Sequence, residues 1–347
     1  MIPTRPMAFV TKAGVIEFRE RPIPELGADD VCISVQAVTL CGSDLHIFKG
    51  RHPAAPLPVP VGHEIAGRVE RIGAEVSRFQ PGDRVAVEPV IACGGCHFCQ
   101  RGQYHLCLEI SFQYRQGQGG LTPTFIAPER WVHPLPKGIS YTEGALLEPL
   151  SVAVHAVEKA ALELGDSVAI FGDGAIGLLL LQAAKAVGAG SVFLVGINPH
   201  RLELASRLGA DVTLNNLEND PIAVILEHTG GLGVTRSFEA VGLEETLVQS
   251  LKALQKGGRA ILLGLFEQPT TRLPANIFVQ KEITLTGSQG YNWDFQTAIK
   301  LVEQGRVDLK SLITHEFPLE RVQEAFEALM DAGKRAVKVA IRVGNKD

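Results

Sequence analysis

The run Val168-Ala169-Ile170-Phe171-Gly172-Asp173-Gly174-Ala175-Ile176-Gly177 restricts the folds open to this chain more than any other stretch. A β-branched, apolar segment leads into G-x-G-x-x-G, and the apolar positions that follow, Ala175 to Val187, have helical spacing. Glycines at these places permit a tight turn, close approach of the backbone to a pyrophosphate, and close packing of helix on sheet. The N-terminus of the following helix favours the anionic phosphates. Gly172, Gly174, Ile176 and Gly177 are therefore candidates to hold a dinucleotide.

The surrounding sequence fits that reading. From about Gly165, strands and helices alternate: Ser167 to Phe171, Ala175 to Val187, Ser191 to Val195, His200 to Leu208. Ser237 to Ala240, Glu244 to Leu254 and Arg259 to Gly264 continue the pattern, which ends near Gly287. Such alternation predicts βαβ units around a parallel sheet. Trp293 to Gln304 and Leu319 to Ala332 then read as amphipathic helices, and Val337 to Val343 as a last strand.

Residues 7 to 90 differ. Val31 to Val38 and Ile65 to Val69 read as strands, and Pro81-Gly82 is a turn feeding the strand that ends at Val87. A stiff proline-rich loop, Pro53 to Pro60, leads to Val61-Gly62-His63-Glu64. This part predicts a β-rich, barrel-like domain. With 347 residues, the chain exceeds what one hydrophobic core usually serves.

A net charge of −5 gives no electrostatic reason to expect nucleic acid or an anionic membrane as partner. The first residues lack the apolar region of a secretory signal, and no apolar run is long enough to span a bilayer, so the cytoplasm is the expected location. There, a disulfide framework is not expected, and six cysteines in the chain call for another explanation.

Four of them form C-x2-C-x2-C-x7-C: Cys93, Cys96, Cys99 and Cys107. Four thiolates this close can close a tetrahedral zinc site with no open position, and Gly94-Gly95 lets the chain turn tightly between the first two. An iron–sulfur cluster and a nucleic-acid-binding zinc ribbon are the competing readings, the second weakened by the acidic balance.

A second constellation has an open character. Cys41, in Cys41-Gly42-Ser43-Asp44-Leu45-His46, joins His63 and Glu64 as three mixed donors, the number a catalytic zinc uses while leaving a position for water or substrate. Glu148, an acid in the apolar run Leu146 to Leu150, is a further candidate, with a structural reading as an acid before proline at a helix start. Asp44 suits an orienting hydrogen bond to His63. Ser43 and His46 could pass a proton from an acidified alcohol to solvent. Phe48, Phe112 and Trp293 mark regions that could shape a substrate pocket.

The second strand of the parallel sheet should end in an acid for an adenosine ribose hydroxyl. Gly196 stands there. Its missing carboxylate removes a repulsion against a 2′-phosphate, which Asn198, His200 or Arg201 could contact, so the coenzyme choice between NAD and NADP leans to NADP.

The order Cys41-Gly-Ser-Asp-Leu-His46, Gly62-His63-Glu64, the four-cysteine lobe, Glu148-Pro149-Leu150 and Gly172-x-Gly-x-x-Gly177 resembles the zinc-dependent medium-chain dehydrogenases over nearly the whole chain. Gly62-His63-Glu64, with Glu148 to His155, is most similar to the sorbitol and polyol dehydrogenase branch. Residues 101 to 107 are similar to threonine dehydrogenases, and butanediol dehydrogenases share much of the framework. The resemblance implies an α/β protein: a GroES-like β-rich catalytic domain over 1–151, a Rossmann doubly wound coenzyme domain over 152–287, and a segment over 288–347 returning to the catalytic domain.

It also implies a homodimer or homotetramer that moves a hydride between a secondary alcohol (a polyol, sugar alcohol or diol) and a nicotinamide coenzyme. L-Threonine 3-dehydrogenase-type and butanediol dehydrogenase-type activities are the alternatives it leaves. By resemblance, Cys41, His63 and Glu64 ligate a catalytic zinc, Glu148 is a fourth ligand or holds the zinc water, and the four cysteines hold a structural zinc that many polyol dehydrogenases lack. The chain departs from the pattern at Gly196, where Asp is usual, and at Gly119 to Phe125. Outside enzymes, the rival is a non-catalytic, zinc-stabilised dinucleotide-binding protein.

Overall fold

A computed structural model describes residues 3–52, 55–112, 117–268, 270–330 and 335–344. Pro53 and Ala54 of the proline-rich loop, and Asp331 and Ala332 at the end of an expected helix, lie outside them. The chain divides into two compact units, residues 1–148 with 312–347, and residues 149–311.

The first unit is built on the strand Asp30–Thr39, most of whose side chains are buried. It pairs antiparallel with Glu64–Ile72 along one side and with Thr124–Pro128 and Lys338–Arg342 along the other. Arg84–Val87 and Val132–Pro134 extend the sheet beyond Glu64–Ile72, and Ile313–Pro318 extends it beyond Lys338–Arg342. Val31, Ile33, Val35, Val38, Ile65 and Phe125, all essentially inaccessible, form the heart of its core.

In the second unit six parallel strands run in the spatial order Val212–Asn215, Ser191–Gly196, Ser167–Phe171, Val234–Glu239, Leu254–Leu262, Thr284–Gly287. Counted along the chain this is 3-2-1-4-5-6, the order of a doubly wound dinucleotide fold. Strand Ser167–Phe171 is central and its Val168 to Phe171 are wholly buried, as a strand covered on both faces requires.

The returning C-terminal segment is shorter than 288–347. Residues 288–311 pack with the parallel sheet's unit: Asp294 lies 2.9 Å from His155 Nδ1, and the Asp308 N–H donates to Gln182 at 2.6 Å. Only from Leu312 does the chain join the first unit. No helix among the described residues is long and apolar enough to cross a membrane.

Candidate metal centre and coenzyme turn

Strand register gathers the first site. Thr39 lies opposite Glu64 on one neighbouring strand and opposite Ala340 on the other. Cys41 and His63 sit just beyond the ends of those strands, at the same edge of the sheet. As a result the ligand atoms of Cys41, His63 and Glu64 all lie within 4.8 Å of one another.

Cys41 occupies the N-cap of a short helix, Gly42–Phe48, and Asp44 is in its first turn. The buried Asp44 carboxylate accepts the Cys41 N–H at 3.0 Å and the Gly62 N–H at 3.2 Å, while His63 Nδ1 stands 3.4 Å from its Oδ1. One carboxylate thus ties both ligand-bearing segments together and fixes the imidazole, as a metal-binding histidine requires. Burial opposes charge on Asp44, but His63 and the two backbone donors outweigh it and hold the carboxyl below its usual range. For His63, burial opposes the proton and Asp44 with Cys41 more than offsets it, so its pKa stands well above the ordinary value. The surroundings favour positive charge at this point, and a dication satisfies the same demand.

Glu64 is fully buried and its carboxylate is already engaged. The Thr39 hydroxyl and the Lys338 ammonium both donate to it, Lys338 reaching Oε2 at 2.6 Å and the Leu40 carbonyl at 3.2 Å. Burial disfavours the Lys338 charge, but Glu64, Cys41 and Glu148 more than restore it. Lys338 is therefore part of this centre, a residue not singled out from sequence. Its signal was a lysine opening the apolar strand Val337 to Ile341. Glu148 is buried in the first turn of the helix Leu147–Lys159, near enough to act on Lys338 but outside the three-residue ligand set. Ser43 and His46, three apart on the helix Gly42–Phe48, are half-buried on one helical face.

Of the three aromatic residues that mark expected pocket regions, Phe112 lies edge-on to His63 with ring centroids 6.3 Å apart. Phe48 instead belongs to the core, packed on Phe326 at 5.0 Å, because the helix turns its Ile47 and Phe48 inward. Trp293 is exposed on a backbone with φ of 67°.

The sulfurs of Cys93, Cys96, Cys99 and Cys107 likewise lie within 4.8 Å of one another. Gly94, at φ 74°, supplies the left-handed turn between the first two. The N–H groups of Cys93 and Glu109 donate to Cys107 Sγ at 3.3 and 3.4 Å. N–H groups of Cys99 and Leu108 pull the Cys96 thiol down to about 6, while burial and neighbouring thiols push Cys99 up to about 12. Four clustered sulfurs with backbone N–H donors are a donor set suited to a structural zinc.

In the second unit the helix Ala175–Val187 starts from Gly174 at the end of strand Ser167–Phe171. A Cβ at Gly177 would lie 1.9 Å from the Gly172 carbonyl oxygen, so only glycine lets this helix pack so close. A Cβ at Gly174 would meet nothing within 4 Å, so the space over the helix N-terminus is open. Ile176 is half-buried in the first turn.

Beside Gly196 the reading from sequence needs correction. The strand end is not without a carboxylate: that of Asp173 stands beside Gly196, accepting the Ile197 and Asn198 N–H groups at 2.8 and 2.7 Å. Asn198, expected to contact a phosphate, caps the helix Pro199–Arg207 through the N–H groups of His200 and Arg201. Arg201 faces Asp173 at 3.5 Å.

Comparison with known proteins follows the same division. Residues 27–137 match the alcohol dehydrogenase GroES-like domain, and residues 175–304 match the zinc-binding dehydrogenase family. D-Arabitol-phosphate dehydrogenase of Enterococcus avium is 38% identical over 329 residues, 93% of each chain. Sorbitol dehydrogenase of Bacillus subtilis is 35% identical over 330 residues, 94% of each. A zinc-binding dehydrogenase of Sinorhizobium meliloti, solved bound to NADP, superposes with a TM-score of 0.90 at 29% identity, covering 98% of this chain and 100% of that one. A mixed-donor centre in a GroES-like unit, a glycine turn in a Rossmann unit, and kinship along nearly the whole length lead to one assignment: the chain belongs to the zinc-dependent medium-chain dehydrogenases, in their sorbitol and polyol dehydrogenase branch.

Proposed function

We propose that Cys41, His63 and Glu64 hold the catalytic zinc of a polyol dehydrogenase, and that Cys93, Cys96, Cys99 and Cys107 hold a second, structural zinc. The observation that carries this is the cluster of Cys41, His63 and Glu64 within 4.8 Å, with Asp44 bonded to the segments bearing the first two. When bound, zinc supplies Lewis acidity that lowers the pKa of a secondary alcohol, and the nicotinamide accepts the hydride.

The chain's own residues do the rest. Asp44 keeps His63 in one tautomer and orientation. Lys338 and Thr39 hold Glu64 against the sheet, so its carboxylate would meet the metal from a fixed position. Glu148 stands close to the same charges and is placed to fix a bound water or substrate hydroxyl. Ser43 and His46 carry the alcohol's proton outward, a task a hydroxyl and an imidazole perform near neutral pH.

The substrate we assign is a polyol or sugar alcohol with a secondary hydroxyl, oxidised to the ketone. Kinship with sorbitol and arabitol-phosphate dehydrogenases supports it. We assign the enzyme to the cytoplasm as a homodimer or homotetramer, which light scattering of the purified protein tests. Rates with NAD⁺ and NADP⁺ crossed with polyols, vicinal diols, threonine and simple secondary alcohols test the substrate class. Full activity after metal depletion, or no alcohol that reduces a nicotinamide, would overturn the proposal. One zinc per chain in place of two would favour a non-catalytic, zinc-stabilised protein.

A further inference from the structure

We propose that Asp173, the residue between the first two glycines of the turn, is the coenzyme-selecting carboxylate of this protein and commits it to NAD over NADP. The inference rests on the reading that this turn holds a nicotinamide dinucleotide.

In this fold the carboxylate that meets the adenosine ribose normally comes from the end of the second strand. Here that strand, Ser191–Gly196, ends without a side chain. Its neighbour Ser167–Phe171 runs parallel, with Phe171 opposite Val195, so the residues just past both strands are brought side by side. Asp173 uses that adjacency. Its Oδ2 accepts from the N–H groups of Ile197 and Asn198, the two residues that follow Gly196, and the residue is only 6% exposed. A carboxylate therefore stands at the strand end, delivered from the glycine turn.

Gly196 is the necessary counterpart. A Cβ at 196 would lie 2.4 Å from both Cβ and Oδ2 of Asp173, far inside contact distance. A side chain at 196 and the observed place of Asp173 exclude each other. The glycine thus marks a relocated carboxylate, where its absence of side chain had pointed to a lost one.

Of the three groups that could contact a 2′-phosphate, Asn198 and Arg201 are partly engaged and His200 is exposed. Asn198 Oδ1 caps the helix Pro199–Arg207, and the Arg201 guanidinium faces Asp173 Oδ1 at 3.5 Å. With Oδ2 shared by two backbone N–H groups, Oδ1 is the oxygen placed to accept a ribose hydroxyl. A 2′-phosphate at the same point would bring a dianion against a buried carboxylate that Arg201, 3.5 Å from Oδ1, only partly offsets.

The assignment also inverts the effect of a familiar substitution. Gly196→Asp, which would install an acid at the usual position, collides with Asp173 and weakens binding of both coenzymes.

The test is calorimetric titration of the zinc-loaded enzyme with ADP-ribose and with 2′-phospho-ADP-ribose, which bind without reacting. The wild type is expected to prefer ADP-ribose by about tenfold to a hundredfold, the worth of a charged hydrogen bond. Asp173→Asn keeps an oxygen for the two backbone N–H groups but removes the charge, and should cut that preference by about tenfold. Gly196→Asp should weaken both probes. Equal or tighter wild-type binding of the phosphorylated probe overturns the inference without reference to any variant. So does an Asp173→Asn enzyme that keeps the wild-type ratio, or a Gly196→Asp enzyme that gains affinity for ADP-ribose. If neither probe binds, the coenzyme reading of the turn falls, and the inference with it.

Discussion

The first unit holds two clusters whose ligand atoms all lie within 4.8 Å of one another, and nearly everything around them differs. Cys41, His63 and Glu64 are mixed donors at the edge of a sheet, backed by the buried Asp44 and Lys338. Cys93, Cys96, Cys99 and Cys107 are all sulfur, on a lobe of turns where Cys93 is exposed and the neighbours are backbone N–H groups. Charged side chains that orient and tune are needed where a metal must react. Where a metal only ties the chain together, backbone donors suffice. Damage to the two clusters should therefore separate into loss of rate and loss of stability.

The largest effect is expected from Cys41→Ser. Removing a thiolate donor forfeits several kcal/mol of transition-state stabilisation, so kcat/KM for a polyol should fall by at least about a thousandfold. Circular dichroism should remain that of the wild type, and metal analysis should find one zinc fewer. Lys338→Met comes next and acts on stability. In the metal-depleted protein it leaves the buried Glu64 carboxylate without its cation, which costs about 3–5 kcal/mol in the urea-unfolding free energy. A variant as stable as wild type would mean that Glu64 is charge-compensated by other groups.

Asp44→Asn should lower zinc affinity or activity by about 10- to 100-fold, read by chelator competition and initial rates. The smallest effect on chemistry is expected from Cys107→Ser. It should lower the thermal midpoint and lose one zinc, yet change kcat per folded molecule by less than about tenfold, since that metal touches no reacting atom. If Cys107→Ser cost more catalysis than Asp44→Asn, the division between the clusters would be wrong.

Where a feature was readable from sequence, its cause was local. The helix over 175–187 was legible to the residue because the glycine turn starts it and apolar spacing sustains it. The two clusters of candidate ligands were legible because their donors are rare residues held close in sequence or next to stiff loops. By contrast, Val212–Asn215 and Pro221–His228 went unread, the strand being four residues long at a sheet edge and the helix only eight. Lys338 could not be placed because its partner Glu64 is 274 residues away, and only strand pairing brings them together. Asp173, inside the glycine motif, drew no reading of its own from sequence. Its importance arises from the parallel register that sets it against Ile197 and Asn198.

The most direct test of the division between the clusters is graded chelation, with zinc content, polyol oxidation and circular dichroism followed on the same samples. The wild type should begin with two zinc ions per chain and lose activity in step with the more labile one, while the fold persists. Activity that survives when zinc remains only on the four cysteines would contradict the assignment of Cys41, His63 and Glu64 as the reactive centre.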